Sequence, residues 1–478
     1  MNTNKPKSLH RTKLIFIIVF FLILFLPLTL LSVFGPDEYD KEAFQESEIQ
    51  LVPLNWDNYI TGNFHSSIEA WFSKYYPLRS DIVRLYNGIK HSSENSKPTI
   101  AIMKLINSFG SVYRPTPPAI NSDSLSVDLA EIYLNPNNKY ATINSEQLLI
   151  TPEEPTGFKG NAGVYIGKSG YLYESTYIDE YYGFAEPYTT VTPEGIQETV
   201  SRLEYIQAEL KERYGITMLY VITPSKASHC DEYIPDYYIN RFTPPENYTR
   251  PVEIMRAMLK NSSINYLDST EYYKEIGLLA TFPKTGIHWN HVASFETTAK
   301  LVQMYAEITG EQVKIPRALD VISSPNPVQY GNSDVDIFNI LYGAFGGAKG
   351  TMDSAYYMPQ VTVDNPNAPK INVLIQGGSF TTDIEHYLDT YNVSDTRRIY
   401  YNGTANVDTW DKNANPWTTG IYAWETILND YNVIIFEQNE QQIRSGHITN
   451  CNWSDQESIH VGSNAVYDSL YEFLKATE

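Results

Sequence analysis

Apolar and polar positions follow a regular pattern from about residue 161 onward. Val164 to Tyr173 reads as a hairpin turning at Lys168-Ser169-Gly170. Thr192-Pro193-Glu194 opens a helix, with Thr at the cap and Pro at the first helical position. Ile196, Val200, Leu203, Ile206 and Leu210 form its buried stripe, and Gly215 ends it. Ile216 to Ile222 is continuously apolar, as a parallel strand covered on both faces should be. Ile264–Asp268 predicts a second, shorter strand. Val292, Phe295, Ala299, Val302 and Tyr305 mark the helix after His288. Residues 311–369 are mixed and rich in Pro, Asn and Gly. Ile371–Gln376 predicts a strand, Asp383–Leu388 a helix, and Arg398–Tyr401 and Val433–Phe436 two further strands. Unalternated strands interleaved with helices predict an α/β domain over 161–478, with three layers around a mostly parallel sheet.

The first 160 residues read differently. Leu14 to Phe34 is twenty-one residues without a charge, long enough to span a bilayer. Lys5, Lys7, Arg11 and Lys13 precede it, and Asp37, Glu38 and Asp40 follow. The positive-inside bias places residues 1–13 in the cytoplasm and the bulk of the chain outside, on a single-pass anchor. The run is long for a signal peptide and lacks a small-x-small cleavage site, so the anchor is read as uncleaved. Residues 35–105 form a juxtamembrane spacer followed by amphipathic helices with a break at Tyr76-Pro77. Residues 106–160 read as a loop-rich connection or an insertion.

Composition narrows the function classes. The chain has 478 residues and a formal net charge of −21, so no basic face argues for nucleic acid. It has two cysteines, Cys230 and Cys451, which suit either one disulfide or two lone buried thiols. Asp334-Val335-Asp336 and Asp408–Asn413 bring carboxylates together, but their spacing fails the EF-hand pattern. No metal and no cofactor are expected. Tyrosine is the one excess, 38 against 19 Phe, and it is dense around Tyr171 and Tyr173. Aromatic faces with hydroxyl rims suit sugar rings, so Tyr171, Tyr173 and Trp289 are candidate substrate contacts.

Two stretches carry candidate chemistry. Val373-Leu374-Ile375-Gln376-Gly377-Gly378-Ser379-Phe380 is a strand that stops at a tight turn and presents a serine. Thr285-Gly286-Ile287-His288-Trp289-Asn290 offers a base. A serine hydroxyl needs such a base at neutral pH, and its developing oxyanion needs preorganised donors. The backbone N–H of Ser379, helped by the small Gly377 and Gly378, and the side chain of Asn402 suit that role. Each piece has a plainer reading: Ser379 as a helix N-cap, His288 as a structural histidine, Asn402-Gly403 as a turn. Reactive groups in open α/β sheets collect at the carboxyl ends of strands, where several of these candidates fall.

In these motifs the chain resembles the SGNH-hydrolase-like proteins of the alginate O-acetyltransferase (AlgJ/AlgX) type. The resemblance runs over roughly 60–105 and 160–445. It rests on Trp71–Arg79, Gly167–Tyr173, Pro224-Ser225-Lys226, Ile287–Asn290, Leu374–Phe380 and Phe436–Glu440. It implies an SGNH-like, flavodoxin-like sheet in permuted order, with His before Ser. It also implies an O-acyltransferase, in the first place an O-acetyltransferase, or an esterase. Such an enzyme would act on a cell-surface polysaccharide through an acyl-serine at Ser379, with His288 as base. A multipass membrane protein as acyl donor is the partner implied. The chain departs from the family where Gly286 stands for the motif Asp and Gly378 for the Asp of G-D-S-F. A Ser-His dyad remains open, as does an orienting acid from Asp268, Asp383 or Glu437. Two other readings stay beside it: a catalytically degenerate protein that binds polysaccharide or assists its assembly, and acylation of teichoic acid.

Overall fold

A computed structural model describes residues 53, 67, 71, 132–155, 159–161, 163–243, 245–324, 334–342, 356–400, 424–443 and 463–477. The chain divides into two units, Met1–Tyr86 and Asn87–Glu478, and the fold below is that of the second. The apolar run 14–34, the amphipathic helices, Asn402 and Cys451 lie outside the described residues. Among those residues no helix is long and apolar enough to cross a membrane.

Among the described residues ten strands form three sheets. β1 (Gly160–Asn161), β2 (Val164–Ile166) and β3 (Leu172–Glu174) make a small antiparallel sheet, with β2 and β3 the expected hairpin. Its turn holds Ser169 at φ 51°, a left-handed position unusual for a residue with a Cβ. The main sheet contains β4 (Thr217–Thr223), β5 (Tyr266–Asp268), β8 (Ile371–Gly377), β9 (Ser394–Tyr400) and β10 (Val433–Asn439). Its order is β5-β4-β10-β8-β9 and every pairing is parallel.

Helices cover both faces. α1 (Ser175–Tyr182) follows the hairpin. α2 (Pro193–Tyr214) starts at the Thr192 cap, whose hydroxyl accepts from the Gly195 N–H at 3.2 Å, and ends at Gly215 with φ 70°. α2, α3 (Pro251–Leu259) and α9 (Ser463–Ala476) pack on Met218, Tyr220, Ile222, Leu374, Ile434 and Phe436. The opposite face, Leu219, Val373 and Ile435, meets Leu301 and Val302 of α5 (His291–Thr309) and Ile384 and Leu388 of α8 (Thr381–Thr390). The alternation of faces along β4, β8 and β10 thus buries both sides, giving three layers. Further helices include α4 (Ser269–Ile276), α6 (Asp336–Tyr342) and α7 (Trp424–Ile427).

One segment differs from its sequence reading. Residues 311–369 contain a long antiparallel ribbon, β6 (Ile315–Ser324) with β7 (Tyr356–Asp364), bulged between Ala318 and Asp320. Leu319 and Ile322 point to solvent, 60% and 51% exposed, so burial does not follow the apolar pattern there. A helix, Ala141–Leu148, also stands within the stretch read as loop-rich.

Candidate active site

The turn after β8 is shaped by close packing. A Cβ on Gly377 would lie 2.6 Å from Glu437 Oε2, 2.7 Å from Glu437 Cβ and 2.7 Å from Thr381 Cγ2. Only glycine lets β8 end this near β10. Gly377→Ala is expected to cost about 1–3 kcal/mol through overpacking. A lowered thermal midpoint would register that cost, and an unchanged one would refute the crowding argument.

Beyond Gly377 the chain enters α8. The carbonyls of Gly378 and Ser379 accept from the N–H groups of Thr381 and Thr382, both at 3.2 Å. Ser379 therefore sits at the positive end of a helix, with the first-turn N–H groups around it. Its side chain meets His288, whose Nε2 is 2.6 Å from Ser379 Oγ.

His288 comes from the loop between α4 and α5. Asn290 pins that loop: its N–H donates to Thr281 O at 2.8 Å, its amide donates to Ala280 O at 2.7 Å, and its Oδ1 accepts from Ala293 N at 2.9 Å. Phe380, next to Ser379, packs on both partners of the motif, 4.9 Å from the His288 ring and 5.3 Å from Trp289.

The orienting carboxylate is Asp336, the first residue of α6. Its Oδ2 is 2.5 Å from His288 Nδ1, while its Oδ1 accepts the Ile287 N–H at 2.9 Å and the Ile337 N–H at 2.6 Å. A carboxylate accepts only, so Nδ1 donates and Nε2 is left to accept the Ser379 hydroxyl proton. Burial works to lower the His288 pKa. The Asp336 charge and hydrogen bond outweigh it, and Asp383 and Glu174 add to the rise, so the imidazole titrates above its ordinary 6.5.

This corrects the three acids considered from sequence. Asp268 accepts from Arg256 at 2.5 and 3.2 Å and caps α4 through the Thr270 N–H at 3.1 Å, so it serves the packing of α3 and α4. Glu437 accepts the Gly378 N–H at 2.7 Å and the Thr223 hydroxyl. Burial raises its pKa to about 7, against those two donors. Asp383 is buried beside the site. Burial raises its pKa to about 6, with His288, Ser294 and Trp289 favouring its charge.

The oxyanion and substrate contacts also change. The Gly378 N–H is engaged by Glu437, so it is not offered to an oxyanion. Tyr171, Tyr173 and Trp289 are 3%, 0% and 0% exposed, and so are core groups, not a sugar platform. Tyr171 stacks on Tyr233 at 4.0 Å, and the Tyr173 hydroxyl donates to Cys230 O at 2.5 Å. Among the described residues no group of three or more His, Cys, Asp and Glu side chains could hold a metal ion.

Asp336 is what sequence reasoning missed. It lies 48 residues from His288, in a Pro- and Asn-rich stretch where it looked like part of a failed calcium loop. The available signal was an acid at the head of a helical apolar run, Ile337, Phe338, Ile340 and Leu341.

No protein-family model matches the chain, and no curated protein matches it. Among solved structures it is similar to the O-acetyltransferase domain of Pseudomonas putida AlgJ, at 14% identity and TM-score 0.38, covering 66% of this chain and 100% of that one. It is similar to Pseudomonas aeruginosa AlgX at 13% identity and TM-score 0.31, covering 58% of this chain and 61% of that one. It is similar to Bacillus cereus PatB1 at 14% identity and TM-score 0.32, covering 55% of this chain and 94% of that one. AlgJ and AlgX, by which the family resembled in sequence is known, are thus among the solved structures to which this chain is similar.

Proposed function

We propose that the chain is a serine-dependent O-acyltransferase, with acetyl as the group transferred, acting on hydroxyls of a cell-surface polysaccharide. The observation that carries this reading is the continuous hydrogen-bonded line Ser379–His288–Asp336. Ser379 Oγ attacks the acyl donor's carbonyl while His288 Nε2 takes the hydroxyl proton. The leaving group departs with that proton, and the acyl group rests on Ser379. A sugar hydroxyl then attacks, giving its proton to His288, which returns it to Ser379 Oγ as the O-acyl sugar leaves. Water in place of the sugar gives ester hydrolysis. The positive end of α8, at which Ser379 sits, favours the negative charge that develops on the carbonyl oxygen.

The loss of the motif acid at Gly286 favours a degenerate, non-catalytic protein. Asp336, at the head of α6, supplies an orienting carboxylate to His288 and speaks for catalysis. The anchor at 14–34, the extracytoplasmic location, the SGNH-like assignment of the sheet and a multipass acyl-donor partner belong to the same proposal, on the sequence features given above.

The test is incubation of the protein with 4-nitrophenyl acetate, followed by intact-mass measurement and then addition of an oligosaccharide acceptor. An added acetyl group on Ser379 that moves to the acceptor is expected. A wild type that neither turns over the ester nor gains mass overturns the reading. The pH profile is a second check. Only neutral His288 can take the proton, and its pKa is raised, so activity should fall as pH drops through a value above 6.5. An acid limb at or below 6.5 would contradict the Asp336 contact.

A further inference from the structure

Lys226 is a buried cation that the reaction above does not use. It follows β4 and is 0% exposed. Its Nζ donates to three carbonyls of one loop: Pro283 O at 2.7 Å, Lys284 O at 3.0 Å and Gly286 O at 2.6 Å. The rings of Tyr171 and Tyr173 flank it, at 5.7 and 5.5 Å from their centroids. Those two tyrosines, unsuited to sugar binding by their burial, thus have a place here. The hairpin adds a further tie, since the Leu172 N–H donates to Lys284 O at 2.8 Å.

The loop so gathered ends two residues before His288. From the other side Asp336 holds the Ile287 N–H and the imidazole. His288 is therefore suspended between two anchors on different elements, Lys226 after β4 and Asp336 at the head of α6. An ammonium has three N–H donors, matched here to three carbonyls. No other side chain offers three donors from one compact point, and Arg's planar fork cannot meet this arrangement. Burial pushes the amine's pKa down to about 7, against the attraction of the Asp336 charge.

We propose that Lys226 is a positioning residue: by gathering the carbonyls of Pro283, Lys284 and Gly286, it sets the reach of His288 toward Ser379 and Asp336. The proposal rests on the acyl-transfer reading for its kinetic consequence but not for its geometry, and the two are tested separately. Lys226→Met keeps the length of the side chain and removes all three donors. The His288 pKa, read by NMR titration of the imidazole in the full chain, should then fall toward 6.5, because the contact with Asp336 loosens. Loss of a nearby positive charge alone would raise that pKa, so a fall reports geometry. An unchanged or higher value overturns the proposal, whether or not the protein is an enzyme.

In an active wild type, kcat for 4-nitrophenyl acetate should drop about 100-fold with KM little changed, as for a misplacement of roughly 1 Å. Equal kcat with only a lowered thermal midpoint would assign Lys226 to stability and sink the idea. Should Lys226→Met fail to fold, Lys226→Gln, shorter and with two N–H donors, takes the same NMR reading. A fall in the His288 pKa sustains the proposal there too, and an unchanged value ends it.

Discussion

Ser379→Ala is expected to abolish turnover of an activated acetyl ester, with a loss in kcat on the order of 10⁶-fold, the scale seen when a triad serine is removed. The protein should stay folded. Ser379 is half-buried, and the hydrogen bonds that shape its turn run through backbone atoms and through Glu437 to Gly378. Truncation to Ala removes one hydroxyl and its contact with His288 while β8 and α8 keep their connection. The measurements are steady-state ester hydrolysis and intact mass after exposure to the ester. A variant that still gains an acetyl group, or that turns over within tenfold of wild type, would place the nucleophile elsewhere. The His288 pKa supplies an internal check, since the 2.6 Å contact to Ser379 disappears while Asp336 remains.

Asp336→Asn is expected to lower kcat by about 10⁴-fold, the cost of fixing the wrong imidazole tautomer. The amide can donate to Nδ1, so that the ring turns its Nδ1 lone pair to residue 336 and its Nε2–H to Ser379. The serine would face a donor instead of a base. Two effects should accompany the loss. The His288 pKa should fall, because the charge that offset burial is gone, and the acid limb of any residual activity should move down in pH with it. KM should change little, since Asp336 touches His288 and not the substrate. A variant within tenfold of wild type would mean that Asp336 orients the loop without setting the tautomer. Loss of activity with an unshifted acid limb would point to a collapsed loop, where the Ile287 N–H and Ile337 N–H lose their shared acceptor.

The sheet was readable because its strands are buried on both faces. Continuous apolar runs such as Ile216–Ile222 admit few other readings, and their ends fall close to the observed β4, β8 and β10. The helix from Pro193 was readable from its cap, its apolar stripe and the glycine that ends it. The pair Ser379 and His288 could be named because each sits beside a local signal, a glycine turn and an aromatic. Asp336 could not, since nothing in the spacing of 48 residues reports that α6 begins against the His288 loop. The ribbon β6–β7 escaped for the opposite reason. Leu319 and Ile322 are apolar but exposed, and the bulge at Ala318 and Asp320 breaks the alternation that would have marked a strand. Tyr171, Tyr173 and Trp289 were assigned to a sugar surface on residue type, and burial is a property of neighbours that type does not report.

The order of strands sets a schedule for making the site. β10, the last of the described strands in chain order, lies at the centre of the sheet between β4 and β8. The nucleophile turn, the base and its carboxylate all precede it in the chain, yet Glu437, which fastens the Gly378 N–H, is carried on β10 itself. A chain growing from its N-terminus holds Ser379, His288 and Asp336 before it holds the strand that joins the two halves of the sheet. Assembly of the reactive serine therefore waits for the closing strand, and a nascent chain cut short of residue 433 would carry every reacting group with no frame to bring them together.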